Sequence, residues 1–340
     1  MAHGWTREVS GAGLTGRRRC CRAVQADDAG LAGGVSGRRR SLAQRAVLAA
    51  VELDLIDSDE VGAGLVQVQS MNPSSRVARV VCGDRAWIVK HAGGSVLPGN
   101  DWRAEIAAYR AAATVAEASL VPGLVGHSRD HDVLLIESLD RSWRRLDSFE
   151  LRSPWSIEVV SRVATSLARW HHASRPLVGI APAQVALFTD TAGLLDDKLA
   201  DDSLRGTIRT VEDAWVASHV MHGDVGLTHV MCHDDGPVRF VDWRASGWGD
   251  PRWDLAGLLQ ELHSGELEHG FDTTAYRTAV LDSYAERVPS PSALSETDTT
   301  LRAFVACRLI WRAVQIHSSP QGTTSRVNAH LAAARALGHL

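Results

Sequence analysis

Paired cysteines are the first thing this sequence lacks. Its five cysteines, Cys20, Cys21, Cys82, Cys232 and Cys307, are odd in number and show no Cys-x-x-Cys spacing, which excludes a disulfide framework and fits the reducing cytoplasm. No run approaches the roughly 18 apolar residues of a membrane span, and the N-terminus has no apolar signal core, so neither membrane insertion nor export is expected. An excess of one charge is missing too. The formal net charge of -4 gives no general argument for nucleic acid or an anionic membrane, and neither is an expected partner. No internal repeat is visible, and the oligomeric state is left open. Residues 1–40 carry almost no large apolar side chains but are rich in glycine and hold R-R-R at 17–19 and 38–40. They read as a disordered extension, with a basic arm for RNA or lipid as the functional alternative. A start codon placed too far upstream would give the same composition.

What is present suffices for a full core. With 340 residues, 45% of them hydrophobic, the chain should form one large or two moderate domains. Residues 41–56 begin with a possible cap at Ser41 and space Leu42, Ala46, Ala49 and Leu53 as a helix. Three strands follow at Leu65–Gln69, Val77–Val81 and Ala86–Lys90, joined through Asn72-Pro73-Ser74-Ser75 and Gly83-Asp84. Alternation in A-W-I-V-K puts Ile88 and Lys90 on one face and Trp87 and Val89 on the other. A helix then starts at Asp101 with Glu105 in its second turn, within reach of Lys90, and strands at Leu124–His127 and Val133–Glu137 complete a five-stranded sheet. The chain changes character at Ser138-Leu139-Asp140, because nearly everything afterwards has helical periodicity. Helices are expected at 155–173, 204–218, 254–263, 273–287, 294–317 and 324–337, around one short hairpin. The expected class is α+β, with an N-terminal lobe at 41–137 (five-stranded antiparallel sheet plus helix) and a mostly helical lobe at 138–340.

The hairpin region carries the chemistry. Asp224 lies in the glycine-flanked turn His222-Gly223-Asp224, suited to a base that accepts a hydroxyl proton. Asp242 ends the strand R-F-V-D and suits Mg²⁺, which prefers oxygen donors and commonly takes one or two protein carboxylates. Asp250, before Pro251, opens a turn. Asp254, at the next helix start, is placed to bond backbone amides and brace the loop. His219, His222, His229, Cys232 and His233 also crowd together, but their spacing matches no familiar zinc pattern.

In H-G-D-V-G-L-T-H, V-D-W-R and G-D-P-R-W-D-L-A, with L-A-R-W-H-H and the V-K strand upstream, the chain resembles the aminoglycoside phosphotransferase and choline kinase group of protein-kinase-like enzymes over about residues 62–320. The resemblance implies a two-lobed kinase-like fold and in-line transfer of the ATP γ-phosphoryl group to a hydroxyl, by positioning and charge neutralisation. It makes Asp224 the catalytic base, Asp242 the metal ligand, Lys90 the phosphate-contacting lysine and Glu105 its partner. It also makes Glu137 to Leu139 the hinge that meets adenine, sets Asn72, Ser74 and Ser75 over the phosphates, and leaves His222, Asp250 and Asp254 as supports of the loop.

Three positions depart from the group. His229 replaces an asparagine, and imidazole is a softer ligand for Mg²⁺ than an amide oxygen. This implies a shift toward Mn²⁺, a cationic contact to phosphate, or lost activity. Gly226 replaces a frequent histidine. Arg244 replaces a frequent acid, either adding positive charge to the cleft or forming a surface salt bridge. His229 and the missing glycines therefore keep a nucleotide-binding module without turnover as an alternative. For the acceptor, Asp196, Asp197, Asp201 and Asp202 form one candidate acidic run for a polycationic antibiotic, although an acidic run is more often a solvated loop. The arginines of 302–335 and the tail R-A-L-G-H-L favour a neutral or anionic hydroxylated metabolite, with a Ser/Thr peptide as the further alternative.

Overall fold

The computed structural model describes residues 40–71, 76–91, 102–115, 117–148, 156–175, 177, 180–183, 185–189, 202–234, 236–288, 295, 297–319 and 321–338. Two compact units divide the chain, one from residues 1–94 and 122–139, the other from 95–121 and 140–340.

In the first unit, α1 (Leu42–Glu52) opens with a capping box. Gln44 N–H donates to Ser41 Oγ at 3.3 Å, and Ser41 N–H to the Gln44 side chain at 3.1 Å, satisfying two otherwise orphaned amides. The helix stops short of the expected 56 because Asp54 turns left-handed, φ 55°. The Leu55 amide then reaches back to Ala50 O at 2.9 Å and closes the last turn. A one-turn helix α2 (Ser58–Gly62) follows. Strands β1 (Val66–Ser70), β2 (Val77–Cys82), β3 (Arg85–His91), β4 (Leu124–Ser128) and β5 (Val133–Glu137) form an antiparallel sheet in the order β1-β2-β3-β5-β4. All five lie within one or two residues of their expected bounds.

Alternation gives the sheet one face of Val80, Trp87, Val89 and Leu135, packed with Ala46, Val47, Ala49 and Ala50 of α1. Burial of such large apolar side chains contributes about 1.5–3 kcal/mol each. Lys90 falls on the opposite face with Ile88 and is itself buried.

The second unit is mostly helical. In chain order it holds α3 (Trp102–Ala112), β6 (Trp143–Arg145), α4 (Ile157–Ser174), α5 (Ala186–Thr189), α6 (Asp202–Ala214), β7 (His219–Met221), β8 (Val230–His233), β9 (Val238–Phe240), β10 (Gly247–Gly249), α7 (Pro251–His269), α8 (Thr274–Ala285), α9 (Thr299–His317) and α10 (Thr324–Gly338). Helix α7 begins three residues before the expected 254 because Asp250 caps it and Pro251 fits its first position, where no amide bond is lost. It runs on to a left-handed Gly270.

The apolar runs at Val220-Met221 and Val238–Val241 do not pair with each other. Strand β7 pairs with β10 in one antiparallel ladder, while β8 and β9 form the hairpin and add β6. Asp224 and Asp242 thus leave two separate ladders, and Trp170, Trp243, Phe240 and Phe304 of the same unit are all buried. Among the described residues no helix is long and apolar enough to cross a membrane. Asn72, Ser74, Ser75, Asp101, Asp196, Asp197 and Asp201 lie outside the described residues.

Candidate active site

The loop after β7 is held from beneath by one carboxylate. Asp254, fully buried in the first turn of α7, accepts the His222 amide on Oδ2 at 2.7 Å and the Gly223 amide on Oδ1 at 2.8 Å. His171 of α4 places Nε2 3.1 Å from Asp254 Oδ2, with Nδ1 2.6 Å from the Tyr284 hydroxyl of α8. Burial alone would raise the Asp254 carboxyl. The bond to His171 and its charge, then the charge and backbone amide of His222, outweigh that, so the group lies below the ordinary carboxylate range.

Gly223 is required at its position, because φ is 84° and an added Cβ would stand 2.0 Å from Ala245 O. The carbonyls of the same segment are taken by indoles. Trp253 Nε1 donates to Gly223 O at 2.9 Å and Trp170 Nε1 to Val220 O at 2.7 Å. The backbone before Asp224 is therefore fixed on both its donor and its acceptor sides.

Asp224 itself keeps a third of its side-chain surface open to solvent. Arg308, buried in α9, approaches it from behind. Its Nη1 donates to Gly223 O at 3.3 Å, and its Nη2 lies 3.3 Å from Val225 O and 3.5 Å from Asp224 Oδ1. The guanidinium lies over the Trp253 ring, 5.1 Å from its centroid, an arrangement that binds a cation through the ring quadrupole. Room for it comes from Gly257, where a Cβ would meet Val225 O at 2.6 Å and Arg308 Nη2 at 3.1 Å. Glu261, one turn further along α7, is raised by burial, an effect that Arg312 and Arg308 oppose and Asp224 reinforces.

His222 and His229 connect the two ladders. His222 Nδ1 accepts the Asp224 amide at 3.2 Å and its Nε2 lies 2.9 Å from Val241 O, which selects the neutral Nε2–H tautomer. Burial lowers its basicity in agreement. His229 sets Nδ1 2.8 Å from Asp224 O, and its Nε2 lies 3.6 Å from Asp242 Oδ2. Asp242 occupies a left-handed backbone position, φ 69°, uncommon for a residue other than glycine, asparagine or aspartate. Arg244, two residues on, folds back onto it with Nε 2.7 Å from Oδ1 and Nη2 2.9 Å from Oδ2. Arg244 thus forms a salt bridge, with Asp242 as its partner.

Asp224, His229 and Asp242 come together, and His222, Asp254 and Asp250 stand around them. Asp250 caps α7 through Arg252 N at 2.9 Å and accepts the Val216 amide at 2.8 Å, tying the entry of β7 to α7. Glu105 is buried on α3 of the same unit, where it and Asp242, after burial itself, raise the Tyr109 phenol. Lys90, Glu137 and Leu139 belong to the first unit. There Glu137 closes β5 with its amide on Gly123 O at 2.8 Å and its carboxylate on Gly123 N at 3.0 Å. Ser74 and Ser75 are outside the described residues. Sequence reasoning missed Arg308 and His171 as partners of the loop. The one signal for Arg308 was a lone cation inside the apolar run F-V-A-C-R-L-I.

The sequence model of the phosphotransferase enzyme family matches residues 70–288. Among solved structures, a choline kinase from Streptococcus pneumoniae superposes with a TM-score of 0.57 at 17% identity, over 85% of this chain and 100% of that one. An ethanolamine kinase from Plasmodium vivax gives 0.58 at 13%, over 88% and 89%. An amicoumacin kinase, solved in complex with AMP-PNP and Ca²⁺, gives 0.53 at 12%, over 82% and 91%. At these identities the likeness shows a shared kinase-like fold. No curated protein matches the chain in sequence.

Proposed function

The chain belongs to the phosphotransferase enzyme family, and from that premise we propose that it transfers the γ-phosphoryl group of ATP to a hydroxyl of a small molecule. Asp224 is the base and Asp242 the metal-binding carboxylate. The observation that carries the reading is the bracing of Asp224. The His222 and Gly223 amides beneath it end on a buried carboxylate, the carbonyls of Gly223 and Val220 end on indoles, and the Asp224 side chain remains open to solvent. A general base must meet the acceptor hydroxyl at hydrogen-bond distance, and a loop fixed in this way holds that geometry without reorganisation.

The donors near Asp224 fit a divalent ion. His229 is turned as metal-binding histidines commonly are, with one ring nitrogen on a backbone carbonyl and the other facing the carboxylate. Among the described residues no three His, Cys, Asp or Glu side chains form a metal site of their own. Asp242 and His229 would therefore hold Mg²⁺ or Mn²⁺ together with nucleotide phosphates and water, the usual mode for Mg²⁺. When bound, the ion neutralises charge on the phosphates.

For the acceptor, the cations Arg308 and Arg312 near Glu261 and Asp224 favour a neutral or anionic hydroxylated metabolite over a polycation. Asp202, the one described member of the acidic run, is exposed at the start of α6 and lies 3.4 Å from Arg205. A second reading, nucleotide binding without turnover, is favoured by the closed pair of Arg244 on Asp242.

The test is a mass-spectrometric screen of the purified chain with ATP and either metal against pooled hydroxylated metabolites, antibiotics and Ser/Thr peptides. Gain of one phosphoryl group on a small molecule supports the proposal. Gain on peptides alone, or ATP binding with no product, contradicts it.

A further inference from the structure

Both oxygens of Asp242 already have a cationic partner inside the chain. The Arg244 guanidinium meets them in a two-pronged pair at 2.7 and 2.9 Å, the strongest geometry an arginine and a carboxylate form. The return over two residues is made by the left-handed backbone at Asp242 and the single 3-10 turn Trp243–Ala245 that follows it. The indole of Trp243 is buried, with Nε1 on Phe240 O at 2.8 Å, so the turn that aims Arg244 is set by the core.

The pair is also within reach of water. Side-chain exposure is 35% for Arg244 and 20% for Asp242, so an entering cation need not open the core to contest it.

We propose that Arg244 is an internal competitor for the cation position on Asp242. A divalent ion binds that carboxylate only when the guanidinium swings off it. The inference rests on Asp242 being the metal-binding carboxylate. It makes Arg244 a positioning residue that sets how much free metal the chain needs. Metal binding in the absence of nucleotide is then weak by construction. A nucleotide that brings its own ion and presents phosphate oxygens to the released guanidinium relieves the competition from both sides, since arginine forks match phosphate as well as carboxylate.

The experiment is a Mn²⁺ titration of the full chain without nucleotide, read by the electron paramagnetic resonance signal of free Mn²⁺. It compares the parent with Arg244→Gln, Arg244→Lys and the double variant Arg244→Gln/Asp242→Asn, each checked for an unchanged thermal melt. Arg244→Gln is expected to bind Mn²⁺ about tenfold more tightly, and Arg244→Lys, which loses one prong, by an intermediate factor. The double variant is expected to lose that gain. Equal affinity in the parent and Arg244→Gln, with binding lost in the double variant, overturns the competition while leaving Asp242 as a ligand. Tight binding that survives in the double variant overturns the assignment of Asp242 itself.

Discussion

His229 joins the two aspartates of the site, with Nδ1 2.8 Å from the Asp224 carbonyl oxygen and Nε2 3.6 Å from Asp242 Oδ2. If Nδ1–H donates to the carbonyl, Nε2 turns a lone pair toward a carboxylate, an arrangement that a shared cation relieves. Imidazole nitrogen suits Mn²⁺ better than Mg²⁺. Replacement by asparagine keeps an N–H for Asp224 O and offers an oxygen instead. His229→Asn is therefore expected to lower the ratio of Mn²⁺-supported to Mg²⁺-supported turnover by about tenfold. Steady-state rates under each metal check it, and an unchanged ratio would remove His229 from the metal's surroundings.

Asp254 is the group whose loss the loop should tolerate least. Asp254→Ala strands two amides and the inner nitrogen of His171 in a buried site, at a cost of about 3–5 kcal/mol. Asp254→Asn keeps one carbonyl acceptor and should fall in between. Denaturant midpoints of the three proteins read this directly, and an Asp254→Ala midpoint equal to the parent's would contradict the bracing.

Arg308 should act on rate more than on nucleotide affinity. It contacts Gly223 O, Val225 O and Asp224 Oδ1 and stacks on Trp253, so Arg308→Met releases the base from behind. The expected result is kcat down by about 10–100-fold, with KM for ATP unchanged. A parallel rise in KM for ATP would mean that the change spreads beyond the loop.

The strands were legible because alternating apolar residues and Gly, Pro or Asn joins fix both period and ends, as in Val77–Cys82 and Arg85–His91. The helix start at Asp250-Pro251 is also written in the chain, as a capping aspartate followed by a proline that suits the first helical position. What could not be read depends on tertiary context. Asp54 ends α1 through a left-handed backbone that aspartate only sometimes adopts. Arg308 reads as one polar position in a helix until the loop carbonyls it serves are placed. The grip of Arg244 on Asp242 follows from a φ of 69° at Asp242, which no local pattern signals. The pairing of β7 with β10 rather than with the hairpin is likewise a long-range choice.

Acid should weaken the fold before it touches most carboxylates. Burial, then neighbouring His171 and Arg175, lowers His219 from 6.5 to about 4, and burial also lowers His131, His222 and His330. In the unfolded chain these rings regain ordinary basicity and bind more protons below about pH 6.5. The stability they contribute is thus complete above that value and is lost as pH falls below it, for His219 toward about 4. Urea midpoints at about pH 7.5 and about pH 5 should show the decline, and His219→Gln should show a smaller one. An identical decline in the variant would count against the shift at His219.

The central claim, that Asp224 is the base of an active phosphotransferase, is tested most directly with ATP labelled at the γ position. Transfer to an acceptor hydroxyl or to water is followed under Mg²⁺ and Mn²⁺ in the parent and in Asp224→Ala. The account predicts transfer by the parent and a loss of about a thousandfold in the variant, with nucleotide affinity retained. ATP binding without transfer by the parent under both metals, or equal turnover in Asp224→Ala, would contradict it.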